Sequence, residues 1–341
     1  MANPEHLDVL RQGVKTWNQW RQQHLEIEPD LNDANLGGAN LEGADLSVAH
    51  LEKANLSKAL LKEVNLNGTH LEEASLDDIH LEGATLEGTH LERASLKQAH
   101  LEATSFNRAR LEGADLREAF FNSETKLHDV TLSNDKYGSA SLADVRWGGA
   151  NLAVVDWTPV WVLGDEQTAC QTETRNGTKK YRAVQIDEYR AAVRANRQLV
   201  VVFREQGLNE EADHFAYQAQ LLQRVVWRLQ RKPLKYCLSW FLDLLAGYGY
   251  KSLRSIIAYL LIVIGFAIIY YFLGQREHIS LSYWGSLVYS VTSFHGRGFL
   301  PGPGVSNLDN LLIRLAALEA VVGLLIEISF IATFTQRFFG R

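Results

Sequence analysis

Cysteine is nearly missing from this chain. Only Cys170 and Cys237 occur in 341 residues, far apart and outside any metal-ligand spacing. Neither a disulfide framework nor a cysteine metal site is implied, and a reducing compartment suits most of the chain. The first residues, MANPEHLDVLRQ, lack the basic segment and apolar core of a secretory signal. No long apolar run occurs before residue 250, which predicts that everything up to that point stays in the cytoplasm. A nucleophile elbow and a phosphate-binding glycine loop are also absent, since the Gly-Tyr-Gly at Gly247 has no strand–helix context. An enzyme is therefore not expected, nor a cofactor.

What is present is divided. Leu31 to Trp157 holds 21 acidic against 11 basic residues, whereas Thr158 to Arg341 holds 14 against 20, so the net charge of −6 conceals an acidic front and a basic back. Separate modules with separate partners are implied.

The front module has an internal period. A large apolar residue recurs every fifth position from Leu31 to Phe121, then resumes after one extra residue at Leu127, Leu132, Tyr137, Leu142, Trp147, Leu152 and Trp157. A small residue, as at Ala34, Ala39 and Ala44, sits two positions before most of them. Five matches neither a helix, about 3.6 residues per turn, nor a strand, about 2. It fits a coil whose every side turns one large and one small side chain inward.

The stretch ANLGGANLEGADL resembles the pentapeptide-repeat family, whose motif reads Ala-(Asp/Asn)-Leu-x-x. The resemblance implies a right-handed quadrilateral β-helix over 31–157, four repeats to a turn. The 26 centres then give six to seven turns, a rod roughly 30 Å long at about 4.8 Å per turn. Residues 1–30 read as a cap helix, with Leu7, Leu10, Val14 and Trp17 on one face. Some family members are acidic mimics of DNA that bind topoisomerases. The apolar runs that follow argue against that here, and no nucleic-acid partner is expected, although the acidic rod offers a surface for a protein partner.

A second period, of ten, marks the surface. His-Leu-Glu recurs at His50, His70, His80, His90 and His100. With 20 residues to a turn, His50, His70 and His90 stack in one column and His80 and His100 in the opposite one, with Glu52, Glu72, Glu92 and Glu112 as an acidic ladder beside the first. Such columns bind a divalent metal or sense pH, or are a solvated by-product of repeat duplication.

Residues 158–185 form a polar linker. Residues 186–250 read as a helical connector, broken near Gly207, with Asn209 as an N-cap and Leu199, Val202 and Phe203 facing Phe215, Leu222 and Val226. It ends in a basic cluster, RLQRKPLKY, that suits anionic lipid head groups and a cytoplasmic flank.

Within residues 251–341, spans are expected at about 253–274 and 308–336, the second carrying Glu319 and Glu327. A short amphipathic helix and a glycine loop lie between them, at about 280–299. This order resembles the two-span pore of tetrameric potassium-channel-like proteins. The resemblance implies a homotetramer in a bacterial inner membrane, multi-pass, with both termini cytoplasmic, conducting a monovalent ion. It assigns a filter to Ser293, Phe294, His295, Gly296, Arg297, Gly298 and Phe299. It also places a hinge at Gly323 and cavity or gate positions at Glu327 and Ile331; if Arg297 points away from the pore it needs a buried anion, and Glu319 is the candidate brace. Phe294 and Arg297 depart from the family's threonine and tyrosine, so cation conduction, anion conduction and a silent pore on a membrane-anchored scaffold all stay open.

Overall fold

The computed structural model describes residues 1–173, 177–250, 252–276, 282–296 and 311–339. The chain divides into two compact units, Met1–Arg231 and Lys232–Arg341.

In the first unit the period of five builds a coil. Parallel bridges join residues twenty apart, from Asp30 to His50, His70 and His90, and three more columns repeat the spacing. Backbone pairs such as Leu31 N–H to His50 O (2.7 Å) and His50 N–H to Pro29 O (2.8 Å) make each bridge. The corners are set locally. An Asn or Asp before the leucine accepts an N–H two residues on, as Asn55 does from Ser57 (3.1 Å), which pre-forms the turn. The second residue after the leucine then takes a left-handed φ, +70° at Gly38 and +59° at Lys53. The leucines of the five-residue series from Leu46 to Leu101 are fully buried, interleaved with Ala49, Ala54 and Ala59. Each such side chain contributes roughly 1.5–3 kcal/mol. Where threonine fills the small position its hydroxyl is satisfied: Thr69 donates to Leu46 O (2.8 Å) and Thr89 to Leu66 O (2.7 Å).

The coil is shorter than the expected six to seven turns. The one-residue shift is present, since Ser105 pairs with Lys126 and Arg110 with Thr131. A further insertion follows, and Asp115 pairs with Ser141 and Phe120 with Arg146. The extra residues leave the coil as a hairpin of β1 (Ser133–Asn134) and β2 (Gly138–Ser139). Tyr137, expected to point inward, lies half-buried in that hairpin. Leu152 belongs to a 3-10 turn, Leu152–Val154, beyond the last bridge of its column.

Both ends are covered. The expected single cap helix is two, α1 (Pro4–Arg11) and α2 (Val14–Gln23), because Gly13 at φ +109° breaks the chain between them. Leu10 and Trp17 are buried on the first turn, and the Trp17 indole donates to Asp45 O (2.8 Å). At the other end lie α3 (Gly164–Cys170), α4 (Arg182–Glu205) and α5 (Asn209–Leu229). The stretch expected as a linker thus carries a helix, and the stretch expected as one connector is shared between the units. Leu199, Phe203 and Phe215 join the coil's own core. Asn209 is the first helical residue of α5, not its cap, and Leu208 holds the cap position without a side-chain bond.

The second unit contains α6 (Pro233–Ala246), α7 (Ser252–Arg276), α8 (Tyr283–Phe294) and α9 (Leu311–Phe339). Helix α8 packs against both α7 and α9. Val263, Phe294 and Ile326 form one apolar cluster, and Tyr270, Tyr289 and Leu312 another. Among the described residues one segment, Ile256–Gln275, is long and apolar enough to cross a membrane. The corresponding part of α9 carries Arg314, Glu319 and Glu327, each charge costing about 2.5–3.5 kcal/mol at mid-bilayer on insertion scales.

Candidate functional site

Two constellations stand out, one in each unit. On the coil, histidine replaces the Asn or Asp that precedes the leucine, and the glutamate just after the leucine receives the imidazole. His50, His70 and His80 bring Nδ1 to Oε1 of Glu52, Glu72 and Glu82 at 3.1, 3.0 and 2.9 Å. The twenty-residue spacing stacks the rings. His50 lies 5.0 Å from His70 and His70 lies 4.4 Å from His90, centroid to centroid. In the second column His80 stacks on His100 (4.5 Å), His100 on Phe120 (4.7 Å), and the Arg146 guanidinium caps that ring at 4.7 Å. The columns are as the period of ten implies.

Charge in these ladders is uneven. The Glu52 hydrogen bond, working against burial and aided by Glu28, raises the His50 pKa above its ordinary value. Burial pushes the Glu82 carboxyl up, but His80, a backbone N–H and Lys62 together hold it below the usual range. The inner oxygens Oε2 of Glu52, Glu72, Glu82, Glu92, Glu102 and Glu112 are buried with no hydrogen-bond partner. Two groups, His70–Glu72–His90 and His80–Glu82–His100, bring their ligand atoms within 4.8 Å of one another.

In the helical unit the centre is the Glu319 carboxylate, fully buried on α9. Tyr270 of α7 donates to Oε2 (2.7 Å) and Ser290 of α8 to Oε1 (2.5 Å), and the Ser290 hydroxyl also lies 2.9 Å from Val263 O. One carboxylate therefore ties three helices. Ser286, Tyr289, Ser290 and Ser293 are buried along one side of α8, while Tyr283, Trp284 and Val288 are exposed. One turn past Glu319, Gly323 meets the end of α8, where a Cβ would collide with the Phe294 carbonyl oxygen. One turn further, Glu327 pairs with His295 Nδ1.

The residues expected at a filter divide accordingly. Ser293 and Phe294 are buried, and Phe294 sits edge-on against Tyr259 at 4.9 Å. His295 is exposed, Gly296 turns the chain at φ +67°, and Ile331 is exposed. Arg297, Gly298 and Phe299 lie outside the described residues. Glu319, expected behind Arg297, has Tyr270 and Ser290 as its hydroxyl partners.

A family model described as "Pentapeptide repeats (8 copies)" matches residues 30–68, 65–102, 86–122 and 94–134. The coil is a pentapeptide-repeat domain. It is similar to Rfr23, a pentapeptide repeat protein from the cyanobacterium Cyanothece 51142. That match is 28% identical, covers 39% of this chain and 99% of that one, and has a TM-score of 0.32. It is also similar to HetL, a pentapeptide repeat protein involved in heterocyst differentiation regulation from Nostoc sp. strain PCC 7120. Here the identity is 29%, the coverage 39% of this chain and 60% of HetL, and the TM-score 0.26. A pentapeptide repeat protein from the thylakoid lumen of Arabidopsis thaliana matches at 19% identity, covering 44% and 90%, with a TM-score of 0.19. No curated protein matches the chain.

The pentapeptide-repeat domain also carries residues that sequence reasoning overlooks. Asp165 on α3 is buried, and its Oδ2 accepts from Leu142 N–H (2.6 Å) and Ala143 N–H (3.1 Å) at the end of the coil. Burial outweighs these bonds and the nearby Arg117, and the carboxyl is raised to about 6. Gln206, at the end of α4, accepts from Leu152 N–H (2.8 Å) and donates to Ala150 O (2.7 Å). Both residues satisfy backbone groups that lack another coil turn to pair with. Nothing in their local sequence signals this, because the partners lie 22 to 56 positions away.

Proposed function

We propose that the chain is a membrane protein of the bacterial inner membrane, whose helical unit assembles four-fold into a potassium-channel-like pore with an atypical Phe-His-Gly-Arg-Gly filter. The pentapeptide-repeat domain stays in the cytoplasm and organises or gates that pore. The observation that carries this reading is the placement of α8, a short helix too brief to cross a bilayer, wedged between the apolar α7 and α9. Its hydroxyl-bearing side meets the Glu319 carboxylate, and it ends against Gly323.

The outward faces support it. Ile257, Leu261, Ile264, Ile268 and Phe272 of α7, with Val321, Leu324, Leu325 and Ile328 of α9, are exposed. Phe272 is 67% exposed and Trp284 77%, more apolar surface than a helical unit in water tolerates without a cover. Lipid and neighbouring protomers supply that cover. The path is cationic in this reading, lined by backbone carbonyls of the filter and by the Glu327 carboxylate.

The test is native mass in mild detergent, followed by the reversal potential of the verified oligomer in a planar bilayer under a KCl gradient. A tetramer with a potential near the potassium limit is expected. A potential near the chloride limit would assign an anion path dominated by Arg297. The second reading is a membrane-anchored scaffold, and the single helix among the described residues that is long and apolar enough to cross favours it. It would be established by a tetramer without current, or by a monomer.

A further inference from the structure

We propose that His70, Glu72 and His90 bind one divalent transition cation of the zinc class on the outside of the pentapeptide-repeat domain, clamping two successive turns of the coil. This inference is independent of the pore reading.

The three ligand atoms already lie within 4.8 Å of one another. His70 Nδ1 lies 3.0 Å and His90 Nδ1 3.6 Å from the same atom, Glu72 Oε1. Tetrahedral zinc, with bonds of about 2.0–2.2 Å, holds neighbouring ligand atoms about 3.3–3.5 Å apart. The two imidazoles stack at 4.4 Å, so a cation enters when the rings turn to bring both Nδ1 lone pairs onto it beside Oε1, and water completes the shell. Two imidazoles and one carboxylate are the donor types that zinc, nickel and copper prefer over magnesium or calcium.

The scaffold is rigid where it needs to be. His70 N–H bonds to Ala49 O and His90 N–H to Thr69 O, both at 2.9 Å, so backbone ladders hold the two ligand-bearing positions one turn apart. A second observation points to a ligand: the other oxygen of Glu72 is buried without a partner. That carboxylate carries more acceptor capacity than its surroundings use, and a cation drawn toward it meets an otherwise unbalanced charge. Glu92 adds negative charge nearby, with Oε1 at 3.5 Å from His90 Nδ1, tempered by Arg110 at 3.9 Å.

The sister group on the opposite column differs in one respect. Lys62 Nζ stands 3.4 Å from Glu82 Oε1, the carboxylate oxygen of His80–Glu82–His100, and so a resident ammonium opposes a metal there. Glu72 has no lysine or arginine among its ion pairs in the described residues. The first group is therefore the tighter site.

The test uses untagged full-length protein in detergent, stripped by a chelator and titrated with zinc chloride by calorimetry at neutral pH. Saturable binding to the wild type is expected, and magnesium and calcium should give none. His70→Asn and His90→Asn restore the residue type found at equivalent corners such as Asn55 and so preserve the coil. Each should weaken zinc binding by more than about tenfold, since even outer partners of a ligand are worth about 10–100-fold. Glu72→Gln should weaken it in the same way, while His80→Asn with His100→Asn should leave the tighter site unchanged. As a measurement on the wild type alone, cobalt loading should give the visible band of a tetrahedral nitrogen–oxygen site. The proposal is overturned by an absence of saturable zinc binding, by affinity that persists in the His70→Asn/His90→Asn double variant, or by cobalt without a tetrahedral band.

Discussion

Glu319 is the residue on which the helical unit turns. Its two oxygens are the acceptors for Tyr270 and Ser290, and truncation leaves buried hydroxyls behind. An unsatisfied buried polar group costs about 1–3 kcal/mol. We expect Glu319→Ala to lower the thermal midpoint of the purified unit sharply. Glu319→Gln, which keeps an acceptor and the shape, should lower it far less, as read by static light scattering on heating. In the coil the telling residue is Val48, a β-branched side chain at φ +50°. That conformation costs a non-glycine residue roughly 1–2 kcal/mol, and the other left-handed corners fill the position with Gly, Asp, Ala or long unbranched side chains. Val48→Gly should raise the unfolding free energy read from urea denaturation, and with it the midpoint, by about 1 kcal/mol once the added freedom of the unfolded glycine is subtracted. An unchanged midpoint would show that the corner geometry carries no strain.

At the scale of elements, two glycines in neighbouring helices separate packing from propensity. Gly323 faces the Phe294 carbonyl with no room for a Cβ, whereas Gly265 of α7 has nothing within 4 Å. Gly323→Ala should destabilise by about 1–3 kcal/mol through overpacking, while Gly265→Ala should be neutral or stabilising by up to about 1 kcal/mol. The contrast, measured as melting temperatures of the two variants, tests whether α9 needs glycine for the approach of α8. The closing helix α3 makes a pH prediction. Asp165 keeps its proton to about pH 6 in the folded chain, whereas its ordinary value is 3.8. Between those values the native state binds more protons than the unfolded one, so this group's contribution is largest below its ordinary value and is lost as pH rises through 6. The loss is on the order of 3 kcal/mol. Glu166, also raised by burial, against its bond to Asn196, acts in the same direction. Asp165→Asn should flatten that part of the stability–pH curve, as followed by urea unfolding at several pH values.

For the whole molecule, the boundary between units predicts where the chain can be cut. Residues 186–231 contain Leu199, Phe203 and Phe215, buried in the coil's core, with Trp157 edge-on to Phe203 at 4.9 Å. Removing residues 1–185 strands those side chains in water. Removing residues 1–231 takes them away with their partners. The shorter remnant should elute as one sharp peak in detergent and the longer one should aggregate. The reverse result would place the break before α4. Any comparison of the helical unit with and without the repeat domain is best made at this second boundary.

The sequence alone determined the coil, because a period of five is a property of the backbone path itself. From Asp30 to His100 every fifth position meets its copy twenty residues on, and the same arithmetic stacked His70 on His90 and His80 on His100. The apolar character of Ile256–Gln275 was equally legible, as composition needs no partner. What the tertiary structure decided is everything that depends on two segments meeting without a shared period. The hairpin at 133–139 breaks the count without breaking the local pattern, since Tyr137 is as apolar as the residue that belongs there. Asp165 and Gln206 read as ordinary polar residues until the open end of the coil presents them with unpaired backbone groups. Gly323 gains its close neighbour only when α8 packs against it, and Glu319 its two hydroxyl partners only when α7 and α8 reach α9. Each of these is a contact between elements, and contact energy is written in coordinates that the chain acquires only on folding.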